Sequence, residues 1–206
     1  MPKTCGKKTP ADLLDIVDNM SQPQLLIVGD SFSAVKNNSE SWTCQFNDFN
    51  IINLSAAGCS EYRIFTQLKT TDLSCYDRII VVHTSPNRIY INQNPLHIHS
   101  KMHYNCDLIY QDVKAQPSGK FRDHVVWWFE NVFDLAHAQD MHTLLMDQII
   151  SKTPTAVHLS FFELEHPAVY NLHHIWKKYP GEVNHLSNKG NQQVAEFVRN
   201  KPKEVA

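Results

Sequence analysis

The chain has 206 residues, 42% of them hydrophobic and 19% charged, with a formal net charge of -2. That composition suits one good-sized globular domain with a single core, excludes a disordered chain, and gives no general electrostatic reason to bind nucleic acid or an anionic membrane. Cys5, Cys44, Cys59, Cys75 and Cys106 are scattered without CxxC spacing, no apolar run approaches a membrane span, and MPKTCGKKTP has no apolar segment after its basic residues, so the expectation is a cytoplasmic protein without a disulfide framework or zinc ribbon.

Thr9-Pro10 followed by ADLLDIVDNM predicts a capped helix with Leu13, Leu14, Ile16 and Val17 on its apolar face. Leu25 to Val28 is a short continuous apolar run bounded by turn residues, the pattern of a strand covered on both faces. Ile51 to Leu54 reads as a second strand, EYRIFTQLKT as a helix, and RIIVV (Arg78 to Val82) as a third strand. Residues 86 to 120, rich in Asn, His, Pro and Tyr, break the rhythm and read as a long insertion or lid. One long helix follows from Asp123 to Ile150, then a fourth strand at Ala156 to Leu159 and an irregular or helical stretch from Glu163 to Pro180. LSNKGNQQVAEFVRN closes as an amphipathic helix with Val194, Phe197 and Val198 inward. Strands separated by helices predict a parallel sheet with helices on both faces, in a single α/β domain over 1–206.

In such sheets ligands collect at the carboxyl ends of the strands, which is where LLIVGDSFSA puts Ser31. Gly-Asp-Ser is equally an ordinary turn, with Asp30 or Ser31 capping a helix. Three further blocks occupy corresponding places: Ala57-Gly58-Cys59-Ser60 after the second strand, Ser85-Pro86-Asn87 after the third, and Glu182-Val183-Asn184-His185 before the last helix. In that order the four blocks resemble the SGNH, or GDSL, hydrolase family over about residues 24 to 200. The resemblance implies a three-layer α/β/α fold with a mostly parallel, flavodoxin-like sheet. It also implies Ser31 as nucleophile, His185 as its base, and Glu182 as the carboxylate that orients the imidazole. The backbone N–H groups of Ser31 and Gly58 and the side-chain amide of Asn87 would form the oxyanion hole. The chain departs from the family pattern at three points: Glu182 stands where aspartate is usual, Ser85 replaces a glycine, and Arg88 replaces an acid after the asparagine. Asp30 and Arg88 are read as substrate-binding, the arginine offering its planar fork to an anionic substrate group.

Other roles compete for each of these residues. Gly58 can serve a tight turn, Asn87 an Asx-turn and His185 a helix cap. His97, His99 and His103, with Cys106 behind them, have spacing compatible with a metal, but 12 histidines make chance clustering easy and the preferred reading is a polar lid. Trp127, Trp128 and Phe129 read as core or lid-packing residues, and Cys59 as a small buried filler. The leading expectation is a metal-free, cofactor-free esterase or O-deacetylase acting on a small-molecule or glycan ester through a Ser31 acyl-enzyme. Its alternatives are a non-catalytic module binding a carbohydrate or small polar ligand, and a metal-dependent hydrolase using the histidine loop.

Overall fold

A computed structural model describes residues 22–34, 40–97, 106–181 and 185–201. The helix expected after Pro10 lies outside these residues. Five strands form one sheet: β1 (Gln24–Gly29), β2 (Asn50–Asn53), β3 (Arg78–His83), β6 (Val157–Ser160) and β7 (Tyr170–Asn171). Their order is β2-β1-β3-β6-β7 and every pairing is parallel.

Period-two alternation sorts the sheet's side chains into two layers. Leu25 and Ile27 of β1, Ile80 and Val82 of β3, and Val157 and Leu159 of β6 face one cluster, covered by Val194, Ala195 and Val198 of the last helix, α6 (Asn188–Arg199). Leu26 and Val28 with Val81 face the other. That side is closed by Ile64 and Leu68 of α1 (Glu61–Lys69) and by Ile149 of α4 (Leu135–Lys152). This is why β1 reads as an unbroken apolar run: neither face meets water. The result is a helix–sheet–helix sandwich.

The chain steps outward from β1 to β2 and then returns across it to β3. The change of direction therefore falls between β1 and β3, whose carboxyl ends are the usual ligand position in doubly wound folds.

Three stretches differ from the sequence expectations. The segment read as a loop or lid contains an antiparallel pair, β4 (Arg88–Ile89) with β5 (Leu108–Ile109), and the short α2 (Tyr110–Ala115). With α3 (Lys120–Asn131) it builds a third apolar cluster around Leu108, Val113 and Val126. The long helix is in fact two, α3 and α4, separated at Val132 to Asp134. Asp134 Oδ1 accepts from the N–H groups of Ala136 (2.9 Å) and His137 (3.2 Å), a cap that starts a new helix although apolar periodicity runs across the break. The stretch after Glu163 includes the one-and-a-half-turn α5 (His173–Lys178), in line with an irregular or helical segment, but it also adds the strand β7.

Candidate functional site

Gly29 ends β1 at φ +152°, and a Cβ there would fall 2.6 Å from Val82 Cβ and 2.7 Å from Ser33 Oγ. Only glycine lets the chain turn so close to β3. The turn is held by Asp30: its carbonyl accepts from Ser33 N (3.1 Å) and its Oδ1 accepts from Phe32 N (3.0 Å). Ser31, at the tip, is partly exposed.

Asp30 itself is fully buried. Its Oδ2 accepts from Thr84 Oγ1 (3.2 Å) and faces Arg88 Nη1 at 3.2 Å. Burial pushes its carboxyl above the ordinary range, opposed mainly by the Arg88 guanidinium. The arginine also donates to Cys59 O (3.3 Å) and lies 5.2 Å from the centre of the Phe162 ring. Asp30 is thereby shielded from solvent, and Arg88 joins the Ser31 turn to the β3 loop while also lining the cavity described below.

Gly58 adopts φ +69°, where a Cβ would lie 2.7 Å from Cys106 Cβ. Its loop is fastened by Asp107, a buried carboxylate that sequence reasoning missed. Asp107 accepts from Ser60 N (2.7 Å), Ile91 N (3.2 Å) and Arg63 Nη2 (2.6 Å). Asp107 N in turn donates to Gly58 O (3.0 Å). The expected filler Cys59 is buried, its thiol donating to Gly29 O (3.1 Å). Asn87 is exposed, in a turn where Ser85 O accepts from Arg88 N (3.2 Å).

His185, half-buried, brings the last block to the first. Its ring packs edge-on against Phe32, the residue after Ser31, at 5.7 Å between centres, and its charge opposes the upward shift of the Asp30 carboxyl. Phe32 also stacks on Phe161 at 4.5 Å, so an aromatic cluster joins residues 153 positions apart (185 minus 32). Ser31, Gly58, Asn87 and His185 thus share the carboxyl edge of the sheet. Glu182, His99 and His103 lie outside the described residues. Among the described residues no three His, Cys, Asp or Glu side chains are grouped to hold a metal, and no helix is long and apolar enough to cross a membrane.

Behind this edge runs a buried polar chain that sequence reasoning also missed. Glu61 Oε1 meets His83 Nδ1 at 2.6 Å, His83 Nε2 meets His158 Nδ1 at 3.0 Å, and His158 Nε2 meets Thr153 O at 3.1 Å. Protons are assigned by following acceptors. The carbonyl of Thr153 only accepts, so His158 Nε2 donates. Burial, together with the His83 charge, lowers the His158 pKa to about 4, so its ring is neutral near pH 7 and Nδ1 accepts. His83 Nε2 therefore donates to His158, and its Nδ1 faces the Glu61 carboxylate. The Glu61 pKa, which burial would raise, is instead lowered to about 2 by His83 and His142. Glu61 Oε2 also accepts from Thr84 N (3.1 Å), while His142 Nε2 donates to Thr84 O (2.8 Å). Thr84 thereby links this chain to Asp30. The signal in the sequence was a histidine inside each of two apolar strands, RIIVVH and VHLS, since a buried ring nitrogen needs a partner.

Beside the candidate oxyanion groups, between α1, the β3 loop and the α3–α4 break, lies a mainly apolar cavity of about 360 Å³. Ser60, Pro86, Arg88, Trp128, Phe133 and His142 are among its walls. Set against protein-family models, curated proteins and solved structures, the chain matches none.

Proposed function

We propose that the protein is an SGNH-type serine hydrolase, an esterase or O-deacetylase that works through an acyl-enzyme on Ser31. The observation that carries this reading is the meeting, at one sheet edge, of a serine turn after β1, a positive-φ glycine after β2, an asparagine after β3 and a histidine packed on Phe32. In this mechanism His185 takes the Ser31 Oγ proton as Oγ attacks the ester carbonyl carbon. The oxyanion is held by Ser31 N–H, Gly58 N–H and the Asn87 amide. The proton passes to the departing alcohol, and water, deprotonated by His185, then releases the acid and restores Ser31. Glu182, by its place three residues before His185, is assigned to orient the imidazole.

A fluorophosphonate probe and an aryl acetate test the reading together. Wild type is labelled and turns over the ester, whereas Ser31→Ala abolishes labelling and both Ser31→Ala and His185→Ala lower kcat by at least about a hundredfold while melting near wild type. EDTA leaves the rate unchanged. Absence of labelling favours a non-catalytic module for a carbohydrate or small polar ligand built on the same scaffold.

A further inference from the structure

We propose that the 360 Å³ cavity is the subsite for an aromatic group of the ester, a ring that carries one hydrogen-bonding atom. The inference rests on the hydrolase reading and deepens it by naming the substrate class.

Three observations lead there. The cavity adjoins the candidate chemistry: Pro86 and Arg88, on either side of Asn87, both line it, as does Ser60, two residues after Gly58. Ser31, Gly58, Asn87 and His185 do not themselves line it, so a ring seated there would reach the ester carbonyl through a short linker.

The walls are aromatic and incompletely covered. Tyr62, Tyr90, Trp128 and Phe133 contribute four rings from four different segments. Tyr62 and Tyr90 meet edge-on at 4.8 Å, and Trp128 and Phe133 lie 5.6 Å apart. Tyr62 and Tyr90 are 41% and 42% exposed, and Val132 and Met141, on the same walls, 53% and 44%. Four of the chain's eight conspicuously exposed large apolar side chains among the described residues thus surround one hollow instead of being scattered singly. Rings so arranged receive another ring by edge or offset contact.

The cavity wall also contains an unmet polar atom. Ser60 is 2% exposed, yet its Oγ has no hydrogen-bond partner, although it stands at the N-terminal cap of α1. A buried hydroxyl without a partner is costly, and a ligand oxygen or nitrogen at the cavity wall would relieve it. The chemistry indicated is a phenolic or similarly substituted aryl group, on either the acyl or the alcohol side of the ester.

Three substrates and two variants decide the matter: ethyl acetate, the methyl ester of para-hydroxyphenylpropionic acid, and the acetate of para-hydroxyphenylethanol, with Met141→Trp and Val132→Trp. Both variants add bulk at half-exposed rim positions, and their melting temperatures report whether they fold. In wild type, kcat/KM for one aromatic ester exceeds that for ethyl acetate by about tenfold or more, and whichever ester it is assigns the ring to the acyl or the alcohol side. Each folded variant reduces that ratio by about tenfold. Turnover that depends on Ser31 but shows no aromatic preference, or a preference that both folded variants keep, overturns the subsite and leaves the hydrolase reading standing. No Ser31-dependent turnover of any ester overturns the hydrolase reading and, with it, the subsite.

Discussion

Two buried carboxylates, Asp30 in the turn after β1 and Glu61 at the start of α1, stand on either side of Thr84 and are shifted in opposite directions. Both lose all but a trace of their hydration. Asp30 keeps one backbone N–H, one hydroxyl and an arginine shared with Cys59 O, and its carboxyl is raised. Glu61 has His83 at 2.6 Å, His142 and Thr84 N, and is lowered to about 2. Burial alone does not set the charge of an interior acid; what decides is whether cations and donors are committed to it. Glu61 is the fixed anion of the interior. Asp30, nearer the edge, is the poorly compensated one, coupled to a loop that carries the candidate oxyanion asparagine.

That contrast is open to test. The largest effect belongs to Glu61→Gln, which removes the buried carboxylate that His83, His142 and Thr84 N share and should cost about 3 kcal/mol or more of unfolding free energy in urea, against less than half that for Asp30→Asn. Equal losses would erase the distinction between the two acids. Acid should expose it next, at comparable size. The His158 pKa is depressed from 6.5 to about 4, so its contribution is complete above pH 6.5 and is lost as pH falls toward 4. Glu61, lowered from 4.5 to about 2, extends the loss below pH 4.5. Each group accounts for about 3 kcal/mol over its window. Asp30 acts with the opposite sign, because the folded state holds its proton longer than the unfolded chain does, and it partly offsets the loss from Glu61. His158→Gln should flatten the stability curve between pH 6.5 and 4, measured by urea titration at several pH values. A change outside both clusters gives the baseline: Asp134→Ala removes the cap of α4 and should cost about 1 kcal/mol, read from urea unfolding.

How much of this could be read in the sequence follows from which signals are local. The apolar runs at Leu25 to Val28 and Ile79 to Val82 marked strands because a sheet covered on both faces favours unbroken apolar segments, and Gly29 closed the first of them. Asp134 was locally legible too, as an N-cap after Asn131, but the apolar period on either side masked it. β7, only two residues long, has no periodicity to detect. The pairing of Arg88 with Asp30, the role of Asp107 and the Glu61–His83–His158 chain depend on partners tens of residues away, and no spacing rule contains them. The four blocks were legible only jointly, through their order along the strands; the contact of His185 with Phe32 came from the tertiary fold.

That contact also dates the site within folding. β1, β2 and β3 can pair as soon as the first half of the chain is available, but Phe32 gains His185 only when the segment leading into α6 arrives and α6 packs over Leu25, Ile27 and Val82. Synthesis runs from the amino terminus, and contacts distant in sequence form late because their loop-closure entropy is met last. A partly made chain would hold Ser31 in the turn after a formed strand with Phe32 still lacking His185, so the arrival of His185 marks the completed fold.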